Sequence, residues 1–217
     1  MFSLVLQAII SGILLGGIYS FVALGLTLIF GVMKVVNFAH GALLMWGMYT
    51  SFWLHTLLKI DPYLSVFITI PLFFGIGWVI QRWLIEPVLE APEFAHILIT
   101  LGLSTFLENL ALFLWSSDYR SVKVSYQEER IFLGGISISY TGLMAFVFVI
   151  IGTCLLYFFL KKTDLGRAIR ATAEEKEGVV LMGINYKRVY YIAFGIGAAC
   201  VGAAGSFITP IFFVDPY

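Results

Sequence analysis

Charge is scarce in this chain. Of 217 residues only 12% are Asp, Glu, Lys or Arg, about half the share carried by a soluble domain, so a water-exposed surface all round is excluded. The basic and acidic side chains balance at 13 each, which removes the electrostatic footprint needed for nucleic acid. The two cysteines, Cys154 and Cys200, lie inside apolar runs, excluding a disulfide framework or a zinc site. The three histidines, His40, His55 and His96, have no metal-ligand spacing. There is no Gly-x-x-x-x-Gly-Lys-Ser/Thr phosphate loop, so the chain does not bind ATP by that device. What remains is grease: 60% of residues are hydrophobic and the mean hydropathy is +0.96. These values describe a protein that crosses a membrane several times.

A helix needs roughly 20 apolar residues to cross the hydrocarbon core. Met1 to Met33 contains no charged residue, and as a helix it would be about 50 Å long. That is too long for a cleavable leader, and no basic region precedes it. The first span is expected near 8–31, with the residues before it at the interface. A second run follows Lys34 and reaches Leu58, and Lys59, Asp61 and Pro62 form a polar turn. A third run, 63–81, closes at Arg82. Segment 82–95, with Glu86, Pro87, Glu90, Pro92 and Glu93, reads as a surface loop. A fourth run covers 96–115. Loop 116–139 holds a short strand or turn at Gly134–Tyr140, where Ile136, Ser137, Ile138 and Ser139 alternate. The fifth run is 141–160 and the sixth 189–210. The expected fold is all-α: one transmembrane domain over 1–217, a helical bundle of about six spans. Gly12 with Gly16, and Ala198 with Gly202, stand four apart and predict close helix packing.

The most polar stretch, Lys161–Arg188, holds more than half of the basic residues, which places it in the cytoplasm by the positive-inside rule. Counting back through the spans puts 116–139 outside, 82–95 inside and the amino terminus outside. The loop also has the marks of folded structure. Thr163 and Asp164 suit an N-cap before Leu165–Ala171. Thr172 and Glu175 fit a capping box for a second helix over 173–182, stopped by Gly183. Arg170 and Glu174 are spaced to pair. The small residues between the arginines suit docking to a cytoplasmic partner, and arginines equally suit lipid headgroups.

An ionisable side chain within a span is a functional candidate, because it is expensive in lipid. Glu108, beside Asn109, sits two-thirds along the fourth run, with Thr100 and Ser104 on its face at spacing four. This seam would meet an ammonium group in transit or pair with a polar group on another helix. His40, just after Lys34 and Asn37, is expected near the inner membrane face, as a helix-start residue or a gate. His55 and His96 fall near span ends.

The run Ala23–Gly41, with its Asn37-Phe-Ala-His-Gly41 stretch, closely resembles the first half of the LivH-like permeases of branched-chain amino-acid ABC importers. The segment Thr163-Asp-Leu-Gly-Arg-Ala-Ile-Arg-Ala-Thr-Ala-Glu-Glu, continued by Leu181-Met-Gly-Ile-Asn185, is similar to that family's cytoplasmic coupling loop. The likeness extends through Thr100–Ser104 and Gly195–Pro210. It implies a permease subunit of a bacterial cytoplasmic (inner) membrane importer with no catalytic site and no cofactor of its own, ATP being bound by partner subunits. The implied partners are ABC ATPase subunits, a second permease subunit, an extracytoplasmic substrate-binding protein, a small-molecule substrate and membrane lipid. Within the loop, Gly166, Arg167, Ala168, Arg170, Ala171, Gly183, Ile184 and Asn185 are the expected coupling residues. Asn37, His40, Thr100, Ser104, Glu108 and Asn109 are the expected pathway residues. Members of the family continue past the equivalent of Asp215–Tyr217, so the likeness implies a C-terminally incomplete chain. Segment 82–95 is also more acidic than the arginine-rich version usual in the family. The related permeases for urea or short amides are one alternative cargo class. A secondary carrier using Glu108 as an ion site is the alternative of another kind, although no internal repeat supports it; an intramembrane enzyme lacks any nucleophile–base set.

Overall fold

The computed structural model describes residues 2–133 and 136–216. Helices α1 (Phe2–Met33), α2 (His40–Leu58) and α3 (Pro62–Ile80) come first. The chain then passes through a wide π-type turn at Gln81–Ile85 and a tight one at Glu86–Val88. Helix α4 (Glu93–Trp115) is followed by strands β1 (Arg130–Leu133) and β2 (Ile136–Ser139), paired antiparallel with Ile131 opposite Ile138. Helices α5 (Tyr140–Lys162), α6 (Asp164–Glu174), α7 (Lys176–Leu181) and α8 (Tyr186–Ile208) complete the chain. The expected strand near 136–139 is present; Gly134 and Gly135, with which that expectation began, lie outside the described residues.

Among the described residues five helices are long and apolar enough to cross a membrane: those containing Leu4–Met33, Pro62–Val88, Glu93–Trp115, Tyr140–Lys162 and Tyr186–Ile208. Helix α2 has 19 residues, about 28 Å, and so reaches span length, but His40, Thr50, Ser51 and His55 lower its hydrophobicity. The all-α bundle of about six long helices is therefore what forms.

Helix α8 is its axis. In its most apolar window 83% of residues are buried, against 11% in α4 and in α5. Lipid tails are as apolar as leucine, so nothing squeezes helices together as water does; close van der Waals packing must supply the association. Small residues make that possible. A Cβ on Gly197 would lie 2.7 Å from the Gly25 carbonyl of α1. One on Gly205 would lie 2.7 Å from the backbone nitrogen of Met48 in α2. One on Gly77 of α3 would lie 3.0 Å from the Gly195 Cα. Each of the three helices around α8 thus offers a glycine where the axis touches it. Hydrogen bonds between hydroxyls of different helices add direction: Ser51 to Ser65 at 2.9 Å and Thr69 to Ser206 at 3.1 Å.

Several boundaries differ from expectation for identifiable reasons. Ala198 and Gly202 pack as expected, but Gly12 and Gly16 are exposed with nothing within 4 Å of a built Cβ. Among the described residues no helix packs against these two positions of α1. The first helix begins at Phe2 rather than near residue 8. Arg82 does not end the third helix. Helical turns run on to Val88 because Ile85 is fully buried in the inner core with Ile29, Val32 and Phe194. A burial-driven turn outweighs one charge that can reach outward.

The glycine seam generates a paired expectation on one helix. Gly77→Ala, which drives a Cβ against α8 backbone, should destabilise the protein by about 3 kcal/mol, the upper part of the overpacking range. Gly75→Ala, two residues away with nothing within 4 Å, should leave it unchanged. Thermal melting of the detergent-solubilised protein, read by size-exclusion, distinguishes them.

Candidate functional site

Helix α1 ends with Lys34 in the left-handed region at φ 58°, and α2 begins at His40. The His40 Nε2 lies 3.0 Å from the carbonyl oxygen of Val22. A carbonyl only accepts, so Nε2 carries the proton in this contact. Val22 stands eleven residues before Met33, about 16 Å back along α1. Segment 34–39 therefore doubles back beside α1, and α2 starts inside the depth of the bundle. Backbone without helix at membrane depth is tolerated only under protein cover. The cover is there: Val35, Asn37 and Ala39 are almost fully buried. The Asn37 side chain accepts from the Ala39 amide at 3.1 Å, and the Val36 carbonyl accepts from the Thr100 hydroxyl at 3.2 Å. Among the described residues no partner reaches Asn37 Nδ2 or His40 Nδ1. The Asn-Phe-Ala-His-Gly stretch is thus a re-entrant break, with two polar atoms buried and unsatisfied at its turn.

A cleft of about 400 Å³ adjoins this break, lined by Phe38, Gly41, Met45, Met48, Ser104, Glu108, Phe213 and Asp215 among others. The Ser104 hydroxyl donates to Glu108 Oε1 at 2.9 Å, so the carboxylate's partner is one turn back on α4 rather than on another helix. Of the expected seam, Ser104 and Glu108 line the cleft. Thr100 is buried and bonded to the carbonyls of His96, Ile97 and Val36. Asn109 is exposed and donates to the Thr105 carbonyl at 2.7 Å. Asp215 and the methionines come from distant sequence; only the fold could have nominated them.

The polar loop is folded, as its caps implied, but with different boundaries. The Thr163 hydroxyl accepts from the Gly166 amide at 3.0 Å, capping α6. Helix α6 runs unbroken to Glu174, and the Thr172 hydroxyl donates to the Ala168 carbonyl at 2.7 Å instead of opening a new helix. The break falls at Glu175, where the backbone is extended. Arg170 donates through Nε to the Leu160 carbonyl at 3.1 Å; no ion pair with Glu174 forms among the described residues. That bond caps a free carbonyl at the end of α5, where a cation is favoured. Gly166 is buried against α5: a Cβ there would come within 2.5 Å of the Leu160 Cα. Its close approach is to the chain's own fifth long helix, not to the outer face of the loop. Ile169, 2% exposed, and Val179 pin α6 and α7 inward. Arg167, paired with Asp164, and Asn185 are exposed, whereas Ala168, Ala171 and Ile184 are half-buried. Asn185 caps α8 by accepting from the Lys187 and Arg188 amides, and Gly183 takes φ 78° in the turn before it.

The outermost part of the loop carries a feature that sequence patterning missed. Val180, Leu181 and Met182 are exposed, Leu181 by 89%. An apolar tip on the most polar segment is the mark of a contact surface. Its signal was present as the consecutive apolar residues Val180, Leu181 and Met182 beside Gly183.

Two further ties hold the ends. On the side of the polar loop, Glu86 accepts from the Tyr191 hydroxyl and from Lys187 Nζ, the latter at 2.8 Å, joining the end of α3 to the start of α8. At the opposite end Tyr126 donates to Asp61 at 2.5 Å, and Arg120 exchanges backbone hydrogen bonds with Val214. Burial, followed by the Asp61 bond, pushes the Tyr126 phenol far above its usual range, so it remains a donor throughout the neutral range.

A bundle of long apolar helices with a buried re-entrant break, a polar cleft beside it and a folded polar loop at one end is a multi-pass membrane protein. Its sequence says which kind: residues 8–217 match the family model described as branched-chain amino acid transport system / permease component, and the chain belongs to that family. It is 29% identical over 211 residues to the high-affinity branched-chain amino acid transport system permease protein BraD of Pseudomonas aeruginosa, covering 92% of this chain and 69% of that protein. It is 28% identical over 226 residues to the corresponding LivH of Escherichia coli K12, covering 98% and 73%. A probable LivH of Methanocaldococcus jannaschii is 28% identical over 194 residues, covering 86% and 60%. No solved structure matches.

Removal of the inward anchor should release the α6–α7 loop alone. Ile169→Ala is expected to cost about 2–5 kcal/mol of local stability, making 163–185 sensitive to limited proteolysis in open membrane fragments while the long helices stay protected.

Proposed function

We propose that this chain is a permease subunit of an ATP-driven importer for branched-chain amino acids, in the cytoplasmic membrane of a bacterium. The observation that carries the proposal is the capped element α6–α7, packed on α5 through Gly166 and Arg170 and joined to α8 through Asn185, with an exposed apolar tip. Closure of separate ATPase subunits would push that tip, and a stiff lever would pass the displacement to α5 and to the central α8. Arg167 and Asn185 lie on the exposed side, where they would set register beside Val180, Leu181 and Met182. The chain would need no cofactor of its own.

For cargo, the cleft beside the re-entrant break offers the two chemistries an amphiphilic amino acid requires. The Glu108 carboxylate, held by Ser104, would meet an ammonium group, and Met45, Met48 and Phe38 would meet a branched alkyl chain. Asn37 and His40 at the break would feel any rearrangement that opens the path inward. Contacts of this kind are few and suited to passage, which leaves selection of leucine, isoleucine or valine to an extracytoplasmic binding protein. A second permease subunit would complete the path.

Reconstitution with candidate ATPases and binding protein tests both halves. Leu181→Asp with Met182→Asp should abolish uptake while basal ATP hydrolysis by the ATPases persists, and the protein should remain in the membrane in normal amount. Glu108→Gln should lower uptake of zwitterionic substrates by about tenfold and spare an uncharged amide carried by the same assembly. Uptake driven by an imposed proton gradient without ATP would replace this proposal by that of a secondary carrier, and preference for urea or amides over leucine would reassign the cargo.

A further inference from the structure

Between α1, α3, α5 and α8 runs a second cleft, about 550 Å³ in volume and separate from the one beside Glu108. Its walls are apolar: Phe21, Phe74, Leu155, Phe159 and Ile196 face it. On α8 the lining extends from Arg188 to Ala203, fifteen residues or about 22 Å along the axis. Among the residues lining it only Arg188 carries a charge, and it stands at the end next to the polar loop. That end also holds Leu165, the second residue of α6, and Trp78, whose ring lies 5.1 Å from that of Tyr191.

We infer that this cleft holds one acyl chain of an anionic phospholipid, whose phosphate rests on Arg188. Charge complementarity selects this occupant. The groove is lined by apolar side chains over its length and is positive at one mouth, and a phospholipid is apolar over its length and negative at one end. The mouth lies at the edge of the bundle where the basic loop begins, so the headgroup sits at the membrane surface while the tail runs inward along α8. A tryptophan at such a mouth suits the headgroup level, where amphipathic rings collect, and basic pockets between transmembrane helices are a recurring lipid-headgroup site. Three neighbouring basic groups have partners already: Lys187 is paired with Glu86, Arg167 with Asp164, and Arg170 bonds the Leu160 carbonyl. Arg82 lies beside the Glu86 carboxylate and does not line the cleft, whereas Arg188 does. Among the described residues no partner bonds the Arg188 guanidinium, and only its backbone amide serves the Asn185 cap. The lipid would also touch Leu165, and so wedge the base of the lever against α3 and α8. This inference concerns lipid and does not depend on which cargo the permease carries.

Native mass spectrometry of the full chain, extracted from vesicles of equal phosphatidylglycerol and phosphatidylethanolamine, tests it. Retained lipid should favour phosphatidylglycerol by about fivefold, the contribution of one basic residue beside an anionic surface. Arg188→Gln, at an exposed position that leaves the fold intact, should remove the preference, and Arg188→Lys should keep it. A photo-reactive side chain at Leu155 should label lipid in the membrane, whereas one at Phe113, 86% exposed on α4, should show no headgroup preference. Equal retention of both lipids, or a preference unchanged in Arg188→Gln, would overturn the inference. So would labelling of a polypeptide from Leu155, since a helix of a second copy or of another permease subunit would then fill the groove.

Discussion

Everything in this molecule is arranged around the close approach of backbones to α8. In lipid, helices gain little from hiding leucine against leucine, so an axis must be thin enough for its neighbours to touch it. Here α1, α2 and α3 each bring a glycine, Gly25, Gly47 and Gly77, against a small residue of α8. The contact is backbone on backbone, where no flexible side chain can give way. It makes the central helix the most buried of the five candidate spans.

The N-terminal end of α8 is tied by several polar bonds. Asn185 caps α8, Glu86 ties Lys187 and Tyr191 to the end of α3, and the short helices before it are pinned by Ile169 and Val179. Polar residues do this work at a membrane boundary because each bond there faces competition from water on one side only. The apolar tip at Leu181 is the exception. Leu181 is 89% exposed, so what the tip touches is not decided by the contacts of the described residues.

The re-entrant break shows the opposite economy. A chain that doubles back within a bundle gives up helical hydrogen bonds and must replace them locally. Asn37 and Thr100 replace some, and His40 bonds across to the middle of α1. The groups left without partners, Asn37 Nδ2 and His40 Nδ1, sit next to the cleft that holds Glu108. Buried polar atoms without partners are costly, and they concentrate where a structure must change contacts to function.

Much of this was legible in the residues. Long uncharged runs, separated by polar turns, determined an all-helical membrane protein of about six long helices, because hydrocarbon admits no other way to satisfy so much backbone in so apolar a chain. Thr163 and Gly183 announced a folded loop, since capping chemistry is local and written within a few positions. Two stretches carried a family likeness. Other features had no local signature. Whether a small residue touches a neighbour depends on where that neighbour lies, so Gly12 and Gly16 could not be told from Gly197 and Gly205. The continuation of α3 past Arg82 was decided by burial of Ile85, and the fold-back at His40 by a carbonyl eighteen residues earlier. Sequence by itself determined solvent, secondary structure and kinship, which follow from composition and short-range pattern. Only the tertiary structure decided which side chains share a cleft, because distance in space between helices is set by packing and not by spacing along the chain.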